Sequence, residues 1–180
     1  MLSTSSDIDR FLYRYQEFLN EDPELKRRLE PFPSFRGGPT PYPGPGPYPP
    51  PNVAMDPTGW SKAKGYPVTR LKGRDLVEIN VEGKFRFTIG LRTDGTFYVE
   101  ERSGVNPCLK VSMPLSVFKD MVLGKERVIY ALADERNIIE YDNSLGLSDW
   151  ITIFEVIGIM QELVESDREM WEIIENLRGD

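Results

Sequence analysis

The side chains able to do covalent or acid–base work in this chain are Asp, Glu, Lys, Tyr and a single cysteine, Cys108. There is no histidine. That absence removes Ser–His and Cys–His nucleophile pairs, imidazole proton transfer and histidine-containing metal sites. Carboxylate, tyrosine or lysine chemistry stays open, yet none of these residues is grouped in a recognisable catalytic spacing. The reading is of a protein that is not an enzyme and uses no metal or cofactor. A lone cysteine builds no internal disulfide framework and suits a reducing compartment, so a cytoplasmic location is expected. The start, MLSTSSDIDR, has an acid where a secretion signal wants positive charge and a long apolar core.

The chemistry left is the burial of apolar surface. Between Ser112 and Asn143 the chain reads SMPLSVFKDMVLGKERVIYALADERNIIEYDN. Leu115, Phe118, Met121 and Val122 line one side of a short helix that starts at Pro114 and is capped by Gly124. Val128, Ile129 and Leu132 mark a second helix within Lys125–Ala133, and Asn137–Tyr141 is a candidate fifth strand. Ser148 then caps a long helix whose residues from Trp150 to Met160 are apolar on nearly every side. Such a helix needs cover on more than one face, from protein or from a ligand.

Upstream, Val77, Ile79 and Val81 alternate with polar neighbours, as do Phe85, Phe87, Ile89 and Leu91. Phe97 and Val99 follow, then Leu109, Val111 and Met113. Period two repeated in four runs predicts a four-stranded antiparallel meander with one apolar face. Asp94-Gly95 between two runs predicts a type I′ hairpin turn. Residues 7–19 carry Ile8, Phe11, Leu12, Tyr15, Phe18 and Leu19 at helical spacing, with Ser6 as cap. Asp22-Pro23 opens a second helical piece, to about Glu30. This stripe is expected to pack on the main domain, with a surface for another chain as the competing reading.

Residues 31–57 hold 11 of the 15 prolines, which denies them helix and central strand and predicts an extended arm. It is either a semi-rigid spacer or an arm whose Phe35, Tyr42 and Tyr48 dock on a partner or on the domain. Charge is regional. Residues 60–130 carry 13 basic and 8 acidic side chains, and residues 134–180 carry 3 and 13. An acidic C-terminal third repels phosphates, so no nucleic acid is expected as a partner. Trp150–Val164 is too short and too interrupted by polar residues for a span of about 20 residues, so no stable membrane insertion is expected.

The order of these elements resembles the sterol carrier protein type 2 (SCP-2-like) domain family over roughly Asp75 to Val164. The resemblance is carried by FRFTIGLRTDGTFYVEE, then LKVSMPLSVFKDMVLGKERVIYALADERNIIEYD, then the hydrophobic closing helix. It implies an α+β fold in which helices cover one face of a mostly antiparallel sheet and leave a hydrophobic tunnel for fatty acids, acyl-CoA esters or other lipids. The family opens with a helix before the first strand, and the helix at 7–19 is the element available for that place. The implied layout is an N-terminal helical segment (1–30), a Pro-rich arm (31–67), the sterol-carrier-like domain (68–165) and a helical extension (166–180).

On this resemblance the ligand-binding residues are Met113, Phe118, Met121, Val122, Ile129 and Leu132, with Ile153, Phe154, Ile157 and Met160 from the closing helix. Taken singly, each also fits plain core packing. Arg86, Arg92, Arg102, Lys119 and Lys125 are the candidates for meeting a polar head group. The expected function is reversible binding of a hydrophobic small molecule or acyl chain without reaction. The alternative is an assembly subunit with a filled tunnel, holding a protein partner through residues 31–57 and the terminal helices.

Overall fold

A computed structural model describes residues 4–29 and 70–178. The fold is α+β. Helices α1 (Thr4–Glu21) and α2 (Pro23–Leu29) come first. The chain resumes in helical conformation at Arg70-Leu71 and enters four strands: β1 (Arg74–Val81), β2 (Phe85–Leu91), β3 (Phe97–Glu100) and β4 (Leu109–Met113). Helices α3 (Leu115–Val122) and α4 (Val128–Leu132), strand β5 (Ile138–Tyr141), and helices α5 (Leu147–Ser166) and α6 (Arg168–Glu175) complete the order.

The expected strands are all present, but β4 does not continue the meander. The sheet order is β3-β2-β1-β4-β5, and β4 lies parallel to β1 while the other three pairings are antiparallel. A tight hairpin to β3 would need two to five loop residues. The connection at 101–108 is longer and crosses the sheet, about three strand spacings or ~14 Å. What holds it there is β1. The Gly104 N–H donates to Glu78 Oε1 (2.7 Å), the Val105 N–H to Asp75 Oδ2 (2.6 Å), and the Cys108 N–H to the Asp75 carbonyl (3.1 Å).

The Asp94-Gly95 turn also differs in kind from the expected type I′. Gly95 has φ +90°, but Asp94 is not in the left-handed region. The Gly95 N–H donates to the Arg92 carbonyl (3.0 Å) and Arg92 N–H to the Thr96 carbonyl (2.8 Å), making a longer loop with one left-handed glycine. Asp94 Oδ1 fixes it by accepting from the Thr96 N–H (2.9 Å) and hydroxyl (2.6 Å).

Val77, Ile79, Val81, Phe87, Ile89 and Val111 share one sheet face and are buried beneath the helices. The helix that is apolar all round finds its second cover within the chain. Helix α1 lies against β3, α5 and α6, with Phe11, Tyr15 and Leu19 fully buried. The Tyr15 hydroxyl donates to the Val156 carbonyl of α5 at 2.5 Å, and burial pushes its pKa well above the ordinary phenol value. The terminal stripe at Met170 and Ile174 is not a continuation of α5. Asp167 breaks the helix and caps α6, accepting from the Glu169 and Met170 N–H groups. Helix α6 then meets α1 through the ion pairs Arg10–Glu169 (2.9 Å) and Arg14–Asp167 (3.3 Å). One apolar core runs from Ile8 to Leu177.

Of the expected caps, Asp22 accepts from the Leu25 N–H (2.9 Å), and Gly124 takes φ +75° after α3. Helix α5 is capped at Gly146, not Ser148. Asp149, fully buried, reaches back to accept from the Gly146 N–H (2.9 Å), which starts the helix two residues earlier. The Pro-rich arm and its Phe35, Tyr42 and Tyr48 lie outside the described residues.

Candidate functional site: an apolar groove at the open sheet edge

The two edges of the sheet are finished differently. In an antiparallel edge strand every second residue turns its N–H and C=O outward. On β3 these are Phe97 and Val99. Asn20 of α1 accepts from the Phe97 N–H (2.7 Å) and donates to its carbonyl (3.1 Å), and Gln16, one turn earlier, accepts from the Val99 N–H (2.9 Å). Two side-chain amides spaced four apart on a helix thus stand in for a sixth strand.

Edge strand β5 has no such cover among the described residues. Asp142 N–H donates to the Cys108 carbonyl (2.9 Å), so the ladder alternation ties Glu140 and Ile138 to β4 and turns the backbone of Ile139 and Tyr141 outward. Asn137 sets the strand in place by donating to the carbonyls of Ala131 (2.7 Å) and Leu132 (3.1 Å) at the end of α4.

Beside this edge lies an open groove of about 290 Å³. Its walls are Leu109 of β4, Ile139 and Tyr141 of β5, Ile129, Leu132 and Ala133 at α4, and Trp150 and Phe154 of α5. Trp150 and Phe154 are one turn apart, their rings 6.0 Å from each other, and Tyr141 meets Trp150 edge-on at 5.9 Å. Apolar surface stays uncovered here: Ile129 is 57% exposed, Tyr141 64% and Ile139 40%. A contiguous apolar patch of this kind usually marks a contact site.

Three of the ten residues expected to bind ligand, Ile129, Leu132 and Phe154, line the groove. Met113, Phe118, Met121, Val122, Ile153, Ile157 and Met160 sit in the packed core, each at most 1% exposed. Phe118 is held there by the rings of Phe85 (5.4 Å) and Phe87 (6.2 Å). The groove residues missed from the sequence are Leu109, Ala133, Ile139, Tyr141 and Trp150. Apolar side chains at both Ile138 and Ile139 were the available signal, since adjacent positions of a strand face opposite ways.

Four of the five candidate head-group cations have other work. Arg86 donates to the Ser103 hydroxyl (2.7 Å), and Arg92 stacks over Tyr98 at 5.0 Å. Lys119 donates to the carbonyls of Glu175 (2.7 Å) and Leu177 (3.0 Å). Arg102 clamps Asp75 with both terminal nitrogens at 2.9 Å.

That clamp organises the sheet face away from the helices, and nothing local in the sequence announces it. A bulge at Leu76 places Asp75 opposite Gly90 while Val77 lies opposite Ile89, so Asp75 points away from the core face. The Tyr98 ring crosses Gly90 and donates its hydroxyl to Asp75 Oδ1 (2.5 Å). Burial alone would raise the Asp75 carboxyl, but Arg102, Tyr98 and the Val105 N–H outweigh it and hold the pKa at about 2. Burial and the neighbouring carboxylate push Tyr98 up to about 12. The group is structural in form: every acceptor is occupied and the crossing connection lies over it.

Cys108 is fully buried where β4 begins, and burial pushes its thiol up to about 11 against the opposing pull of Arg74. Native protein at pH 8 is therefore expected to resist iodoacetamide and to be alkylated once in denaturant. Rapid native labelling, followed by mass spectrometry, contradicts this placement. Among the described residues no cluster of three or more Cys, Asp or Glu could hold a metal ion, and no helix is long and apolar enough to cross a membrane.

No family model and no curated protein matches the sequence. Among solved structures the chain is similar to one described as "UbiJ-SCP2 Ubiquinone synthesis protein", at 10% identity and a TM-score of 0.43, over 84% of this chain and 88% of that one. Fold and groove together define a class: an α+β domain with a sheet layered on one side by helices and an apolar groove at one sheet edge.

Proposed function

We propose that the groove between α4, β5 and the start of α5 binds an acyl chain or similar hydrophobic tail reversibly, without bond-making. The observation that carries this reading is a concave surface among the described residues, lined by apolar side chains alone, with Tyr141, Trp150 and Phe154 ring against ring along it. The sequence resemblance to sterol carrier domains supports it independently.

A volume near 290 Å³ stands at the lower end of small-molecule sites, about 300–1,000 Å³. At the ~30 Å³ a water occupies in the liquid, that is room for roughly ten heavy atoms. Ten methylenes at ~0.8 kcal/mol each bound the gain at ~8 kcal/mol, and the open side lowers it. Micromolar or weaker affinity follows before ordering costs. The groove therefore takes a short chain or part of a longer one.

The test is displacement of a fluorescent fatty acid, alongside native mass spectrometry of the purified full chain. Ile129→Glu puts a charge against the tail at an exposed position, so at least a tenfold loss of affinity is expected with little change in unfolding midpoint. Absence of saturable binding in the parent protein, or equal affinity in the variant, overturns the reading.

A further inference from the structure

We propose that the aromatic side of the groove is the docking site for this chain's own proline-rich stretch, residues 39–51. Three observations meet on it. The first is where the described chain stops and resumes. Leu29 ends α2 packed against the core, and its neighbour Arg28 donates at 2.7 Å to Glu155, the residue after Phe154. The chain resumes at Arg70, Leu71 is fully buried, and Arg74 donates at 3.0 Å to Asp142, the residue after Tyr141. Phe154 and Tyr141 are the two ends of a row of rings that Trp150 joins. Residues 30–69 therefore depart beside one end of the row and return beside the other.

The second observation is the match in chemistry. Proline-rich segments dock on grooves lined by aromatic rings because polyproline II is preformed and loses little entropy. Ring spacings of 5.9 and 6.0 Å make a row of roughly 12 Å, the length of about four such residues at ~3.1 Å each. Pro41-Tyr42-Pro43-Gly44 and Pro47-Tyr48-Pro49-Pro50 both have that length. The third is charge. Residues 37–55 contain no Asp, Glu, Lys or Arg, and the groove is lined by apolar side chains alone, so docking strands no ion. Reach is ample: Pro39 lies ten residues after Leu29, about 30 Å of extended chain. Tethered at both ends, the stretch meets the groove at a roughly millimolar effective concentration, so an intrinsic Kd of ~0.1 mM keeps it about nine-tenths filled. Docking needs the rings and not an acyl ligand; only the competition between the two rests on the acyl reading.

The test is Ile129→p-benzoylphenylalanine in the full chain, at a groove position that is well exposed. Irradiation is expected to join position 129 to tryptic peptide 37–62 of the same chain, with a yield independent of protein concentration. Replacing the eight prolines of residues 39–51 by serine should lower that yield at least fivefold with unchanged circular dichroism. In the chain without the cross-linker, the same replacement should tighten fluorescent fatty-acid binding about tenfold. No cross-link to 37–62, cross-links only between chains, or equal yield with and without the prolines overturns the proposal. A proline-dependent cross-link with no fatty-acid binding in either protein overturns the acyl reading and leaves the docking standing. Saturable fatty-acid binding with no cross-link does the reverse.

Discussion

Gly90→Ala is expected to lower the free energy of unfolding by about 3 kcal/mol, among the larger effects a single methyl can have. A Cβ at this position would sit 1.9 Å from Tyr98 Cζ and 2.1 Å from its hydroxyl oxygen. The ring has nowhere to go except off the sheet. Leaving costs the hydrogen bond to Asp75 and the stacking under Arg92 (5.0 Å) and Arg102 (5.7 Å). Alanine's advantage over glycine in a strand, about 0.5–1 kcal/mol, offsets only part of this. The decisive comparison is in a Tyr98→Ser background, where the same substitution should be near neutral. Urea unfolding of the four proteins gives the coupling energy directly. Equal losses in both backgrounds would show that the ring is not the cause.

Arg102→Ala is expected to cost about 3 kcal/mol at pH 7, because it strands Asp75, only 6% exposed, without its bidentate partner. Arg102→Lys should recover no more than part of that loss, since an ammonium cannot match both carboxylate oxygens in one plane. The pH dependence carries the sharper signature. Asp75 lies at about 2 in the folded chain against an ordinary 3.8. A lowered carboxyl contributes stability that is present above about pH 4 and lost as pH falls toward 2, on the order of 2 kcal/mol in full. Without Arg102 the burial that opposes the charge gains ground, and the acid limb of the stability curve should move to higher pH. An unchanged limb would falsify the assignment of that limb to Asp75.

These two sites mark where sequence reasoning ran out. The strands were legible because alternation is a local pattern, as in Val77-Ile79-Val81 and Phe87-Ile89-Leu91. Helix ends were legible where a cap announced them, as at Asp22-Pro23 and Gly124. Partner choice is not local. Nothing in LKVSM says that it lies beside β1 and not β3. That is settled by Glu78 and Asp75 receiving the Gly104 and Val105 N–H groups from 26 and 30 residues away. The bulge at Leu76 is equally silent, since a run of apolar residues hides one extra member.

The candidate site was legible only in part, for a related reason. Ile129 and Leu132 have the same chemistry as Phe118 and Val122, and a helical stripe does not state which members reach the core and which stop at its rim. Chain direction decides it: α4 is short and ends where Asn137 ties it to β5, so Ile129 is left at the sheet's edge. Tyr141 and Trp150 join it only because β5 returns antiparallel beside β4.

The bond from the Tyr15 hydroxyl to the Val156 carbonyl spans 141 positions. At ~5–20 residues per second of synthesis, α1 waits on the order of ten seconds before the helix it shelters exists. Until then α1 has only β3 to lie against, and part of the surface of Phe11, Tyr15 and Leu19 waits for its cover. Such long-range closure belongs to slow folders. Helix α1 is thus made well before its cover is complete.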